Sequence, residues 1–83
     1  MTAKDVSDFV RKAEAVYANR LRAELEPDHM DEFVAIEPET GDHFLGRTLS
    51  EASAAARKCH PDRLTHMIRI GHSSAVHFGM YLG

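Results

Sequence analysis

The sequence predicts an α+β fold: a long N-terminal helix, a four-stranded, mainly antiparallel sheet in the order 2-1-3-4, and a second helix between strands two and three. Three observations carry it. Apolar residues recur at three- and four-residue spacing over 3–25. A Pro-Glu-Thr-Gly turn separates two short apolar runs. Thr48 and Glu51 then form a capping box, three residues apart, that opens a second helical stretch. With 83 residues, the chain has room for one domain, 1–83, made of the helix 1–26 and a ββαββ core over 32–79.

The first helix places Val6, Phe9, Val10, Ala13, Val16, Tyr17, Leu21 and Leu25 on a broad apolar arc. Thr2 with Asp5 fits its start, and Asp8–Lys12 and Arg20–Glu24 fit pairs along its polar side. Pro27 is expected to stop it, since the residue before a proline avoids helical backbone. The arc spans about half the circumference at 100° per residue. One small sheet would not cover all of it. Val10, Tyr17 and Leu21 are therefore candidate interface residues for a second copy.

Phe33-Val34-Ala35-Ile36 is an unbroken apolar run, the mark of a strand buried on both faces. Pro38 presets the first turn position and Gly41 suits the left-handed position of a bulged hairpin, returning the chain as Asp42–Gly46. The second helix, 48–59, points Leu49, Ala52, Ala55, Ala56 and Cys59 inward, and Pro61 ends it. Leu64–Ile70 is the third strand, with Ile68 and Ile70 on one face and Met67 and Arg69 on the other. Ala75–Phe78 is the expected fourth. The helix 48–59 returns the chain, so strand three lies beside strand one and antiparallel to it. With both helices on one face, Val34, Ile36 or Phe44 would need outside cover, a second reason to expect a homodimer.

Charge is segregated. Residues 1–23 carry five basic and three acidic groups, 24–42 carry eight acidic and no Lys or Arg, and 43–83 carry five basic and two acidic. Such a pattern suits self-complementary contacts or simply a solvated surface. The net charge of −3 argues against nucleic acid. The candidate basic patch, Arg47, Arg57, Lys58, Arg63 and Arg69, has no interleaved aromatic to stack bases. No apolar run approaches the ~18 residues of a membrane span. One cysteine, Cys59, and no signal-peptide pattern fit a cytoplasmic, reducing location.

Catalytic motifs are missing. His60-Pro61-Asp62 matches the tripeptide of J-domain co-chaperones, but a strand pattern follows where that fold needs a long helix. Cys59 and His60 are adjacent and so point apart, and Cys59 is expected to be a buried, inert thiol. There are six histidines, of which His66, His72 and His77 are the weak metal candidates; the tight ligand spacings of zinc sites are absent. No phosphate loop or dinucleotide fingerprint occurs, and no cofactor is expected.

The order Phe33-Val34-Ala35-Ile36, Thr40-Gly41-Asp42, Gly46, Glu51-Ala52, Arg69-Ile70-Gly71 resembles a family of short uncharacterised bacterial proteins with an N-terminal helix. That resemblance implies a fold and no activity. Gly46, Thr48, Glu51 and Ala52 also resemble the helix start of HicB-type antitoxin domains. The expectation is a non-enzymatic protein-interaction module, self-associating, with an unidentified partner protein and an antitoxin-like role. The alternatives are a small metal- or ligand-binding protein using the C-terminal histidines, and a nucleic-acid-binding module.

Overall fold

The computed structural model describes residues 3–72 and 80–82. The fold is α+β. Helix α1 spans Ala3–Val16, passes into a π-helical turn at Tyr17–Leu21, and continues as α2 over Arg22–His29. Strands β1 (Phe33–Glu37) and β2 (Asp42–Gly46) form a hairpin. Helix α3 (Leu49–Cys59) leads to β3 (Leu64–Arg69).

Three strands, in the order β2-β1-β3, supply the sheet's share of both core clusters. Phe33 stands opposite Gly46 on one side and Arg69 on the other, so β1 is antiparallel to both neighbours. This corrects the expected four-stranded sheet in its fourth member. The segment expected as strand four, 75–78, lies outside the described residues. Beyond β3 the sheet gains only a three-residue edge, β4 (Met80–Leu82), antiparallel to it. Three residues are the short end of the usual strand range, and they pair with Leu64, Thr65 and His66 of β3.

The placement of the helices corrects a second expectation. Ala13, Tyr17, Leu21 and Leu25 pack with Val34, Ile36, Ile68 and Ile70. Ala52 and Ala56 of α3 pack with Ala35 and Met67. Successive strand residues point to opposite faces, so the N-terminal helix covers one face and α3 the other. Val34 and Ile36 are fully buried within the chain. The uncovered apolar face, and the argument for a dimer drawn from it, disappear.

The helix itself departs from expectation in two ways. Residues spaced by four drift about 40° per step around an α-helix. Over Ala13, Tyr17, Leu21 and Leu25 that drift would carry the last away from the sheet. The wider π turn over 17–21 takes some of it back, and all four are buried. Pro27 does not stop the helix; it sits inside α2. Its missing N–H leaves the Ala23 carbonyl unbonded, and Ala23 is exposed to water. The helix ends at His29, with Met30 turning to ψ 138°; Asp31 follows in the left-handed region at φ 72°, a conformation Asp tolerates better than most residues.

The hairpin and α3 form as their residues require. Gly41 takes φ 79° and its N–H donates to the Glu37 carbonyl at 2.9 Å. Glu37 is buried, and its carboxylate ties the turn. It accepts from the Thr40 N–H (2.8 Å) and hydroxyl (3.2 Å), and from Arg63 (3.1 Å). Thr48 caps α3 by accepting from the Glu51 N–H, while Glu51 accepts from the Arg47 N–H. Ala52 and Ala56 let this helix lie close to the sheet, and at Gly46 the approach is closest. A Cβ there would stand 2.3 Å from the Ala52 nitrogen. Backbone cannot yield as a side chain can. Gly46→Ala should therefore destabilise the fold by about 3 kcal/mol, read as a lowered urea midpoint with an unchanged slope.

Candidate interaction surface

The helix that covers one face of the sheet has an outer side of its own. Glu14, Ala18, Arg22 and Glu26 each follow an inward residue, Ala13, Tyr17, Leu21 or Leu25. One residue is a rotation of about 100°, so these four share one flank. Two shallow grooves lie along it. One is lined by Ser7, Val10, Arg11, Glu14 and Ala15. The other, about 540 Å³, is lined by Ala18, Arg22, Ala23, Glu26, Pro27 and Met30. Met30 is the large apolar side chain left most open among the described residues, at 52% exposure.

Two residues lining the second groove, Arg22 and Glu26, are tied to Tyr17. The Tyr17 hydroxyl donates to Glu26 (2.9 Å) and accepts from the Gly71 N–H (3.2 Å). It thereby ties the π turn, α2 and the turn after β3. Arg22 lies 5.5 Å from the centre of the Tyr17 ring and 3.5 Å from Glu26. Burial is the main cause that pushes the Tyr17 phenol above its ordinary 10.0. Beside this site, Asp31 bonds backbone to backbone with Ile70 (3.0 Å) and side chain to side chain with His72.

The residues expected to form an interface divide. Tyr17 and Leu21 lie inside the chain's own core, 3% and 0% exposed, which takes them out of any contact between copies. The apolar arc that suggested them is absorbed by the sheet. Val10 is half-buried and lines the first groove. The flank residues Ala18, Arg22, Glu26 and Met30 did not stand out in the sequence, because none is both large and apolar within the periodic pattern except Met30, which lies beyond Pro27.

Among the described histidines, His29, His60 and His72 pair with Glu32, Asp42 and Asp31. His66 is buried on β3, with Nε2 3.7 Å from the Glu14 carboxylate. His72 pairs with Asp31 near the end of α2, and His77 lies outside the described residues. Among the described residues no group of three potential ligands converges. His60 of the His-Pro-Asp tripeptide donates to the Asp42 carboxylate at 2.8 Å and meets the Phe44 ring edge-on at 5.8 Å. The tripeptide thus closes α3 onto β2. Cys59, expected to be buried, is exposed: it falls at the last turn of α3, beyond the residues that face the sheet. No helix among the described residues is long and apolar enough to cross a membrane. No family model, curated protein or solved structure matches the chain.

Six carboxylates of the acidic segment meet a partner among the described residues, three of them, Glu26, Glu37 and Glu39, on an Arg or Lys. Glu39 meets Lys12 (3.7 Å), Glu37 meets Arg63, Glu32 meets His29 (3.2 Å), and Asp42 and Asp31 meet His60 and His72. Arg22, Arg63 and Lys12 bring full positive charge to Glu26, Glu37 and Glu39, whereas the histidine partners add charge only when protonated.

Two predictions follow from these contacts. Tyr17→Phe removes one donor and one acceptor from a part-buried network, and should cost about 1–2 kcal/mol; an unchanged denaturation midpoint would show the network to be idle. The hydrogen bonds from His72 and His60 hold Asp31 and Asp42 below their ordinary 3.8. A carboxylate depressed in the folded state stabilises the fold above its unfolded pKa, and that contribution is lost as pH falls toward the folded value. The urea midpoint should therefore drop between about pH 5 and about pH 3. The double variant Asp31→Asn, Asp42→Asn should show a flatter profile over that range.

Proposed function

We propose that this chain is a non-enzymatic protein-interaction module that docks through the outer flank of its N-terminal helix. The observation that carries the reading is the pair of grooves on one helix flank, with Met30 open at one end and charges of both signs between them. A surface of this kind suits a partner helix, whose apolar side chains enter the grooves while its charges meet Arg11, Glu14, Arg22 and Glu26. The rest of the molecule supports a scaffold's role. The sheet is covered on both faces, and His60, His72 and Glu37 are engaged in holding elements together.

A photo-crosslinking side chain placed at Ala23 or Met30 in source cells tests this. Adducts with a protein, a second copy of the chain included, should form from these positions and not from Ala54, an exposed residue on α3. Equal adducts from Ala54, or none from the helix flank, would overturn the reading.

A further inference from the structure

We infer that the occupant of this flank is a second copy of the chain, its N-terminal helix running antiparallel to the first about a two-fold axis at Ala18. The inference rests on the interaction reading above and names its partner. The argument is the order of charges along the flank. From Ala18, the flank meets Glu14 and then Arg11 toward the N-terminus, and Arg22 and then Glu26 toward the C-terminus. Equivalent steps in the two directions carry opposite signs.

An antiparallel pair sets each step against its opposite. Ala18 meets Ala18 of the second copy at the axis. One step out, Glu14 faces Arg22 of the second copy, and Arg22 faces its Glu14. At the next step Arg11 faces Glu26 of the second copy, and Glu26 faces its Arg11. A two-fold axis supplies every contact twice, as an isologous interface requires. A parallel pair would set Arg11 against Arg11 and Glu26 against Glu26, like against like. An unrelated partner would have to bring this alternation by coincidence; the chain already carries it.

The geometry leaves room for such a pair. Ala18 is exposed, so the helices can approach at the axis without a bulky side chain between them. The side chains of Arg11, Glu14, Arg22 and Glu26 each retain at least 31% exposure. Within one copy Arg11 meets Asp8, Glu14 lies 3.7 Å from His66 and Glu26 accepts from Tyr17; a guanidinium has several donors and a carboxylate two acceptor oxygens, so each can take a second partner. Arg22 and Glu26 are neighbours at 3.5 Å, and Glu14 and Arg11 of the second copy extend that pair into an alternating row. Met30 lies beyond Glu26 at the end of the row, where the second copy brings the start of its own helix, near Ser7.

Sedimentation of the purified full chain tests the pairing. The wild type should dimerise, and added salt should weaken the dimer. Ala18→Glu puts two like charges at the axis and should weaken association by about tenfold or more. Because Ala18 is exposed, far-UV circular dichroism should be unchanged. In a Cys59→Ser background, Ala18→Cys should cross-link into a covalent dimer under mild oxidation, far faster than Ala54→Cys. A wild type that stays monomeric to millimolar concentration overturns the inference. So does a dimer that survives Ala18→Glu, or one that cross-links as fast from position 54. A monomer in solution together with photo-adducts from Ala23 in cells would leave the interaction reading standing and this partner refuted. Failure of both would remove the two together.

Discussion

The fold depends on β1 being buried on both faces and paired along both edges. Val34 and Ile36 face one helix layer and Ala35 the other, and all three are fully buried. No arrangement with both helices on one side satisfies such a strand. The polar groups of its backbone are satisfied by β2 and β3, so each helix has only a side-chain surface to match. On the α3 side the match is made with alanines and Gly46, which bring the axis close. On the other side it is made with Tyr17, Leu21 and Leu25, which fill a larger gap against β-branched residues.

That second match explains the π turn. The sheet's large residues, Val34, Ile36, Ile68 and Ile70, demand a straight row of helix residues opposite them. A row spaced by four is straight only if the helix is locally underwound. A single π turn in mid-helix provides the underwinding and places Tyr17 where its hydroxyl reaches Glu26 and Gly71. A polar tie at the edge of an apolar layer then fixes the turn after β3 against α2. The carboxylate–histidine contacts of Asp31 and Asp42 act at opposite ends of the sheet in the same way, anchoring turns that the core alone does not reach.

Much of this was legible in the residues. The hairpin followed from Pro38 and Gly41, the capping of α3 from Thr48 and Glu51, and the two-sided strand from four consecutive apolar residues. What was not legible has physical causes. Whether two helices share a face is set by crossover geometry, which short-range patterns do not encode. The π turn looked like an over-wide apolar arc, because a period of 3.6 was imposed on residues that follow a longer one. Pro27 reads as a terminator by local rules, yet Ala23, whose carbonyl loses its helical donor, is an exposed residue, and the helix runs on for two residues. Cys59 was assigned to the core by extending the α3 stripe one turn too far. The acidic run gave no sign of its partners, because Lys12, Arg63, His60 and His72 come from distant parts of the chain.

The same underwinding bears on the outer flank. In an uninterrupted α-helix, Glu14, Ala18, Arg22 and Glu26 would wind around the axis by about 40° at each step, and a partner could follow them only by supercoiling in the opposite sense to an ordinary coiled coil's heptad. The π turn that keeps Ala13, Tyr17, Leu21 and Leu25 against the sheet also keeps their immediate successors on one side. The constraint imposed by the core is therefore transmitted, one residue later, to the surface. A helix shaped to cover four β-branched residues presents on its flank a short row of alternating charges with two-fold symmetry about Ala18. Packing on the inside of the fold thus decides which residues are available together on the outside.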